Sequence, residues 1–234
     1  MKILALDTAT ENCSAALLIE GSVRAREIEQ ARGHAERILP MIDELLCEAG
    51  TALDDLDAIA FGRGPGSFTG VRLAATVTQG LAFGAGLGVV PISDLQAVAQ
   101  RALAKDTTLT RVLVCNDARM SEVYWGCFER DEQGRARLVG EERVGKPNEV
   151  TLPTSWATAT GVGRGFTVYG DVLAAIVRTD AFTELLPRAL EMALLAVPEV
   201  AAGRILPAEA ATPVYLRDNV AHVAQPAKPP GRAP

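Results

Sequence analysis

The sequence predicts an α/β protein of two lobes, each built on a mixed sheet flanked by helices, with the second lobe abbreviated. Three observations carry this. The first 105 residues alternate elements in the order βββαβαβα, an order that stacks helices on a mixed sheet. After a polar, Thr-rich break at 105–110 the chain reopens with the same plan of strand, Asp, turn, strand, turn and strand, and such a duplicated opening is what a two-lobed fold requires. The chain is 234 residues long and 48% hydrophobic, ample for a buried core. The expected division is therefore a first lobe at 1–105, a second at 106–224 and a disordered, proline-rich tail at 225–234.

The elements follow in order. Residues 2–7 read as a short buried strand ending at Asp7; the polar turn 8–12 leads to a second strand at 14–20, and Glu20-Gly21 turns the chain into a third at 22–28. Residues 34–50 form an amphipathic helix with Ile38, Ile42, Leu45, Leu46 and Ala49 on one face and Gly50 as its C-cap. Leu39 and Met41 widen its apolar surface beyond one stripe, so part of this helix is expected to face a partner. Pro40 is expected in its first turns or at a bend. A strand at 88–93 and a helix at 94–104 complete the first lobe. In the second, strands are expected at 111–117, 122–129 and 136–144, a strand and turn at 166–171, and helices at 172–177 and 184–196.

Between these elements stands the run Gly62-Arg-Gly-Pro-Gly-Ser-Phe-Thr-Gly-Val-Arg72. A strand at 58–61 enters it and is ended by its glycines and proline. Thr69 is the expected N-cap of the following helix, in which Val71, Ala74, Ala75, Thr78, Leu81, Ala82 and Ala85 recur at helical spacing. A face of Ala and Thr lets whatever packs against it approach closely. The loop also has the form of an anion cradle leading into a helix N-terminus, although it lacks the Gly-Lys-Ser/Thr ending of a P-loop and the spacing of a dinucleotide-binding turn.

Composition excludes several classes. A net charge of −6 and a pI near 5.1 argue against unaided nucleic-acid binding, which draws on clustered Lys and Arg. The four cysteines form no CxxC pair, and the first apolar run is too short for a signal peptide, so a reduced, cytoplasmic protein is expected. No apolar stretch reaches the roughly 20 residues that span a bilayer. With only His34 and His222, a histidine metal site is not expected and a Ser-His-Asp triad has little to draw on. Asp7-Thr-Ala-Thr10 places a carboxylate and hydroxyls where a strand turn faces a phosphate or its magnesium ion, while local hydrogen bonding within the turn is the simpler reading.

Five motifs in order, Leu6-Asp-Thr-Ala-Thr10, His34 with Ile38-Leu-Pro-Met41, the Gly62 to Arg72 run, Asp117-Ala-Arg with Glu122-Val-Tyr124, and Pro213-Val-Tyr-Leu-Arg217, resemble the bacterial TsaB (YeaZ) family, the accessory subunit of the machinery that makes threonylcarbamoyladenosine in tRNA. The resemblance implies an actin-like (ASKHA) two-lobed fold and partnership with the catalytic subunit TsaD, together with TsaE, or a homodimer in their absence, with tRNA reached only indirectly. The related catalytic proteins carry a His-x-x-x-His metal motif where this chain has Asp94 and Val98, and valine cannot ligate a metal. Both phosphate turns, Asp7-Thr-Ala-Thr and Asp117-Ala-Arg, lack glycine, so side chains would crowd a bound triphosphate.

The leading expectation is a non-catalytic scaffold that contacts its partner through Ile38, Met41, Ile42 and Leu45 of the first helix and Val71, Ala74, Ala75 and Thr78 of the second. No catalytic or metal residues and no intrinsic cofactor are expected. Asp7, Thr8, Gly66, Ser67 and Arg72 stand as a vestigial or interfacial nucleotide or anion site at the partner interface. The alternative is an ATP-dependent phosphotransferase of the actin-like class with Asp7 and Asp117 around magnesium.

Overall fold

A computed structural model describes residues 1–217; the tail expected at 225–234 lies outside them. The first lobe contains strands β1 (Lys2–Asp7), β2 (Asn12–Ile19), β3 (Ser22–Glu29), β4 (Ala58–Gly62) and β5 (Val89–Ile92), and the second β6 (Arg111–Asp117), β7 (Val123–Arg130), β8 (Ala136–Gly145), β9 (Thr160–Val162) and β10 (Thr179–Asp180). The helices are α1 (His34–Ala49), α2 (Phe68–Ala85), α3 (Asp94–Lys105), α4 (Gly165–Leu173) and α5 (Ala189–Ala201). The sheets run β3-β2-β1-β4-β5 and β10-β9-β6-β7-β8.

The duplication is visible in the pairing. β1 is antiparallel to β2 and parallel to β4, and β6 is likewise antiparallel to β7 and parallel to β9. Alternation along the strands sends Leu4, Leu6, Leu17, Ile59 and Phe61 to one face of the first sheet, beneath α1 and α2, and Ile3, Ala5, Leu18, Ala58 and Ala60 to the other, beneath α5. The lobes trade helices. α3 packs with β6 and β7 in the second lobe's core, and α5 returns from the second half of the chain to the first sheet. A division at residue 105 thus separates the sheets but not the cores.

Local signals set most boundaries. Gly50 adopts the left-handed conformation that caps α1 (φ 60°). α1 continues through Pro40, which lies in its second turn. α2 starts earlier than Thr69 predicts: Ser67 is the N-cap, its Oγ accepting a hydrogen bond from the Gly70 N–H at 3.1 Å. The second lobe departs further. Residues 166–171 are helical within α4 and are not a strand, residues 174–177 are not helical, and the helix expected from 184 begins at Ala189. Phe166 explains the first of these. Its ring fills the space beside Gly161 of β9, where a Cβ would lie 2.3 Å from it, so packing overrides the β-propensity of Phe-Thr-Val-Tyr.

Candidate functional site

The Gly-rich loop is a strut. The Ser67 N–H donates to the Ala9 carbonyl at 2.7 Å, and the Thr8 hydroxyl donates to the Gly70 carbonyl at 2.7 Å, so the loop is laced to the turn after β1. The fit leaves no room for side chains: a Cβ on Gly66 would lie 2.6 Å from the Ala9 oxygen, and one on Gly70 would lie 2.1 Å from the Thr8 oxygen. Of the expected anion-site residues, Thr8, Gly66 and Ser67 meet here, but the Thr8 hydroxyl and the Ser67 N–H and hydroxyl are engaged by Ala9 and Gly70. Arg72 points elsewhere, its guanidinium 3.6 Å above the Phe68 ring with Nε donating to the Tyr215 hydroxyl at 2.7 Å.

Asp7 lies beneath this junction, fully buried, with Oδ1 accepting from the Ala9 N–H at 2.9 Å. Its neighbour is Asp94, equally buried at the start of α3, whose Oδ2 accepts from the Gly64 N–H at 2.6 Å. The remaining oxygens, Asp7 Oδ2 and Asp94 Oδ1, have no other partner among the described residues. A proton held between the carboxyls would satisfy both. Burial pushes Asp7 up to about 6, countered in part by the Ala9 N–H, and burial followed by the Asp7 charge raises Asp94 well above the carboxylate range. Gly62 makes room for the pair, since a Cβ there would sit 2.5 Å from Asp7 Oδ1 and 3.0 Å from Asp94 Oδ1. Asp94 stands where a metal-binding histidine was sought, and it is a structural acid.

A cavity of about 520 Å³ opens between the lobes, bounded by Ala9, Thr10, His34, Ser67, Asn116 and Arg119, among others. Its second-lobe turn is closed from within. Asp117 accepts hydrogen bonds from both the backbone and the side chain of Arg119 at 3.0 Å, and the same guanidinium reaches Glu11 across the cleft at 2.9 Å. Asp7 and Asp117 therefore do not share an exposed site. Among the described residues no cluster of three or more His, Cys, Asp or Glu side chains is placed to hold a metal ion, and no helix is long and apolar enough to cross a membrane.

The expected contact residues are corrected by burial. Ile38, Ile42 and Leu45 of α1, and Val71, Ala74, Ala75 and Thr78 of α2, are all buried against the first sheet, and Met41 is half-buried. The thin face of α2 is thin because the sheet approaches it, bringing Ile59 and Phe61 onto the alanines. The solvent side carries a second stripe, Thr69, Leu73, Thr76, Gly80 and Phe83, spaced by four, three, four and three residues. Phe83 is 73% exposed, and Leu39 on the outer side of α1 is 49% exposed. A Cβ on Gly80 or Gly84 would meet nothing within 4 Å. The spacing of this stripe was present in the sequence.

Two lobes with paired strand-turn-strand openings, exchanged helices and an inter-lobe cleft define a protein of the actin-like class, here with its own side chains engaged in both turns of the cleft. A family model described as TsaD, tRNA N6-adenosine threonylcarbamoyltransferase, matches residues 27–225. The tRNA threonylcarbamoyladenosine biosynthesis protein TsaB of Escherichia coli K12 is 44% identical over 235 residues, covering 97% of this chain and 100% of its own length. Its Haemophilus influenzae counterpart is 41% identical, covering 94% and 95%. The solved structure of YeaZ from Pseudomonas aeruginosa superposes with a TM-score of 0.85 at 46% identity, covering 92% of this chain and 99% of that one. The chain belongs to the TsaB (YeaZ) family.

Proposed function

We propose that this protein is a non-catalytic subunit in tRNA threonylcarbamoyladenosine biosynthesis that docks the outer faces of α1 and α2 onto a catalytic partner of the TsaD type, in the cytoplasm and together with TsaE. The observation that carries the reading is the pair Gly80 and Gly84. Each lies within α2 and neither is required by any described neighbour, yet a helix-interior glycine costs about 1 kcal/mol relative to alanine. Close approach by a helix from outside the chain accounts for them, with Leu39, Leu73 and Phe83 supplying apolar surface. In the partner's absence a second copy fits the same face. tRNA is reached through the partner, in keeping with the acidic balance.

The protein needs no cofactor of its own in this reading. A nucleotide would lie at the shared interface, where Arg72 is exposed at the first turn of α2. The phosphotransferase alternative finds less support, because Asp7 is sealed beneath the loop and Asp117 is engaged by Arg119.

Sedimentation velocity of the purified protein mixed with TsaD from the same organism tests the face. Gly80→Arg should unfold with the cooperativity of wild type yet lose the complex. Ala75→Arg, which puts a charge into the core, should lose the fold itself. A folded Gly80→Arg variant that binds TsaD as wild type does would overturn the proposal.

A further inference from the structure

The residues from Pro213 to Arg217 run along the outside of the lobe junction and bond to both sides of it. On the first-lobe side, the Val214 N–H donates to the Arg63 carbonyl at 2.7 Å. The Val214 oxygen lies 3.0 Å from where a Gly64 Cβ would be, and Gly64 has φ +102°, so only glycine lets the segment lie this close. Tyr215 follows, its hydroxyl accepting from Arg72 Nε at 2.7 Å and its ring centroid 6.0 Å from that of Phe68. Arg72 thus lies against both rings at the first turn of α2. On the second-lobe side, Arg217 Nη2 donates to the Ala118 carbonyl at 3.2 Å and pairs with the Glu122 carboxylate, and Nη1 lies 3.6 Å from Met120 Sδ.

These contacts flank the two walls of the inter-lobe cavity. Pro65, Gly66, Ser67 and Thr69 form one, and Ala118 and Arg119 belong to the other. We propose that the segment Pro213 to Arg217 is a latch that ties the Gly-rich loop and the first turn of α2 to the β6–β7 turn, and so sets the width of the cleft. The turn it grips has need of a restraint from outside. Arg119, Met120 and Ser121 all have positive φ, at 61°, 54° and 59°, a run that non-glycine residues adopt at a cost. Among the described residues the latch side chain that reaches this turn is Arg217, whose guanidinium meets the Ala118 main chain, the Glu122 carboxylate and Met120 Sδ together.

The latch makes a directional prediction: loss of Arg217 should loosen residues it does not touch. In the full-length protein, hydrogen–deuterium exchange followed by mass spectrometry would compare wild type, Arg217→Ala and the charge-exchanged double variant Arg217→Glu/Glu122→Arg. Arg217→Ala should speed exchange on the order of tenfold in peptides covering 117–123 and also in those covering 64–72, the loss of a charge-assisted hydrogen bond. The double variant, which restores opposite charges across the same gap, should recover a substantial part of the protection at 64–72. Faster exchange confined to 117–123, or no change at either site, would overturn the latch. Should Arg217→Ala unfold globally, Tyr215→Ala, which removes the Arg72 and Phe68 contacts on the first-lobe side and leaves Arg217 in place, provides the same test in the opposite direction: exchange must rise at 117–123.

Discussion

Asp94→Asn isolates the buried carboxyl pair. In the wild-type fold Asp7 Oδ2 and Asp94 Oδ1 are buried with no hydrogen-bond partner among the described residues, and burial holds Asp7 up to about 6 from an ordinary value of 3.8. A raised carboxyl pKa means that the folded state binds the proton more tightly than the unfolded state does. Its stabilisation is therefore full below about pH 4 and is lost as pH rises through 6. At about 1.4 kcal/mol per pH unit, the displacement of Asp7 amounts to roughly 3 kcal/mol. Asp94, raised by burial and by the Asp7 charge, adds to the decline in the same direction. The charges around the pair pull both ways, since His34 lowers Asp7 and Glu142 raises Asp94. An asparagine at 94 keeps a carbonyl for the Gly64 N–H and turns an N–H toward Asp7 Oδ2, supplying permanently the hydrogen that the wild type must hold as a proton. Urea unfolding of both proteins from pH 4.5 to 8 should show Asp94→Asn gaining on wild type with rising pH, at a slope of up to about 1.4 kcal/mol per pH unit, the limit for removing one proton-binding site. Because other carboxylates titrate alike in both, the difference between the profiles reports the pair alone. Parallel profiles would refute the shared proton.

Two further outcomes follow from burial. Thr78 sits on the inner face of α2 with its hydroxyl buried and without a partner among the described residues, so Thr78→Val should stabilise the protein by about 1 kcal/mol in denaturant unfolding; destabilisation of that size would show that the hydroxyl is bonded. Cys47 is exposed whereas Cys13, Cys115 and Cys127 are buried, and burial pushes the Cys13 and Cys127 thiols up to about 11. Titration with a chromogenic disulfide at pH 8 should therefore count one fast thiol in the native protein and the other three only after denaturation; two fast thiols would contradict the burial of Cys13, Cys115 and Cys127.

The first lobe was legible because its strands are bounded by strong punctuation and its helices by caps. Glu20-Gly21 makes the β2–β3 turn and Gly50 stops α1, both through local backbone chemistry that needs no tertiary partner. Most of the second lobe beyond β8 was not legible. Its strands β9 and β10 have three and two residues, too short for an alternation to register. α4 takes its conformation from Phe166 packing on Gly161 and from Gly165 packing on the Cys115 backbone, contacts that the local sequence does not announce. The site was half legible. Periodicity marks the stripes of a helix without saying which of them lies inside, and α2 has two. The alanine stripe was assigned to a partner, but the sheet occupies it.

The glycines decide between those stripes. At Gly62, Gly66 and Gly70 an atom stands within 2.6 Å of where a Cβ would be, and Gly21, Gly50 and Gly86 have positive φ; each is needed by the fold of the single chain. Among the glycines of the described residues, Gly80, Gly84 and Gly170 alone have neither a positive φ nor any atom within 4 Å of where a Cβ would be. Gly170 follows the non-helical Tyr169, where α4 kinks. Gly80 and Gly84 lie four residues apart in a regular helix, on one side of it and facing outward. A helix that is thin on its inner side because a sheet presses on it, and thin again on its outer side with nothing described there, has the shape of a layer between two others. The chain itself supplies one of them. In the proposed function the other is the partner subunit, bringing its backbone as close to α2 as β1 and β4 do from beneath.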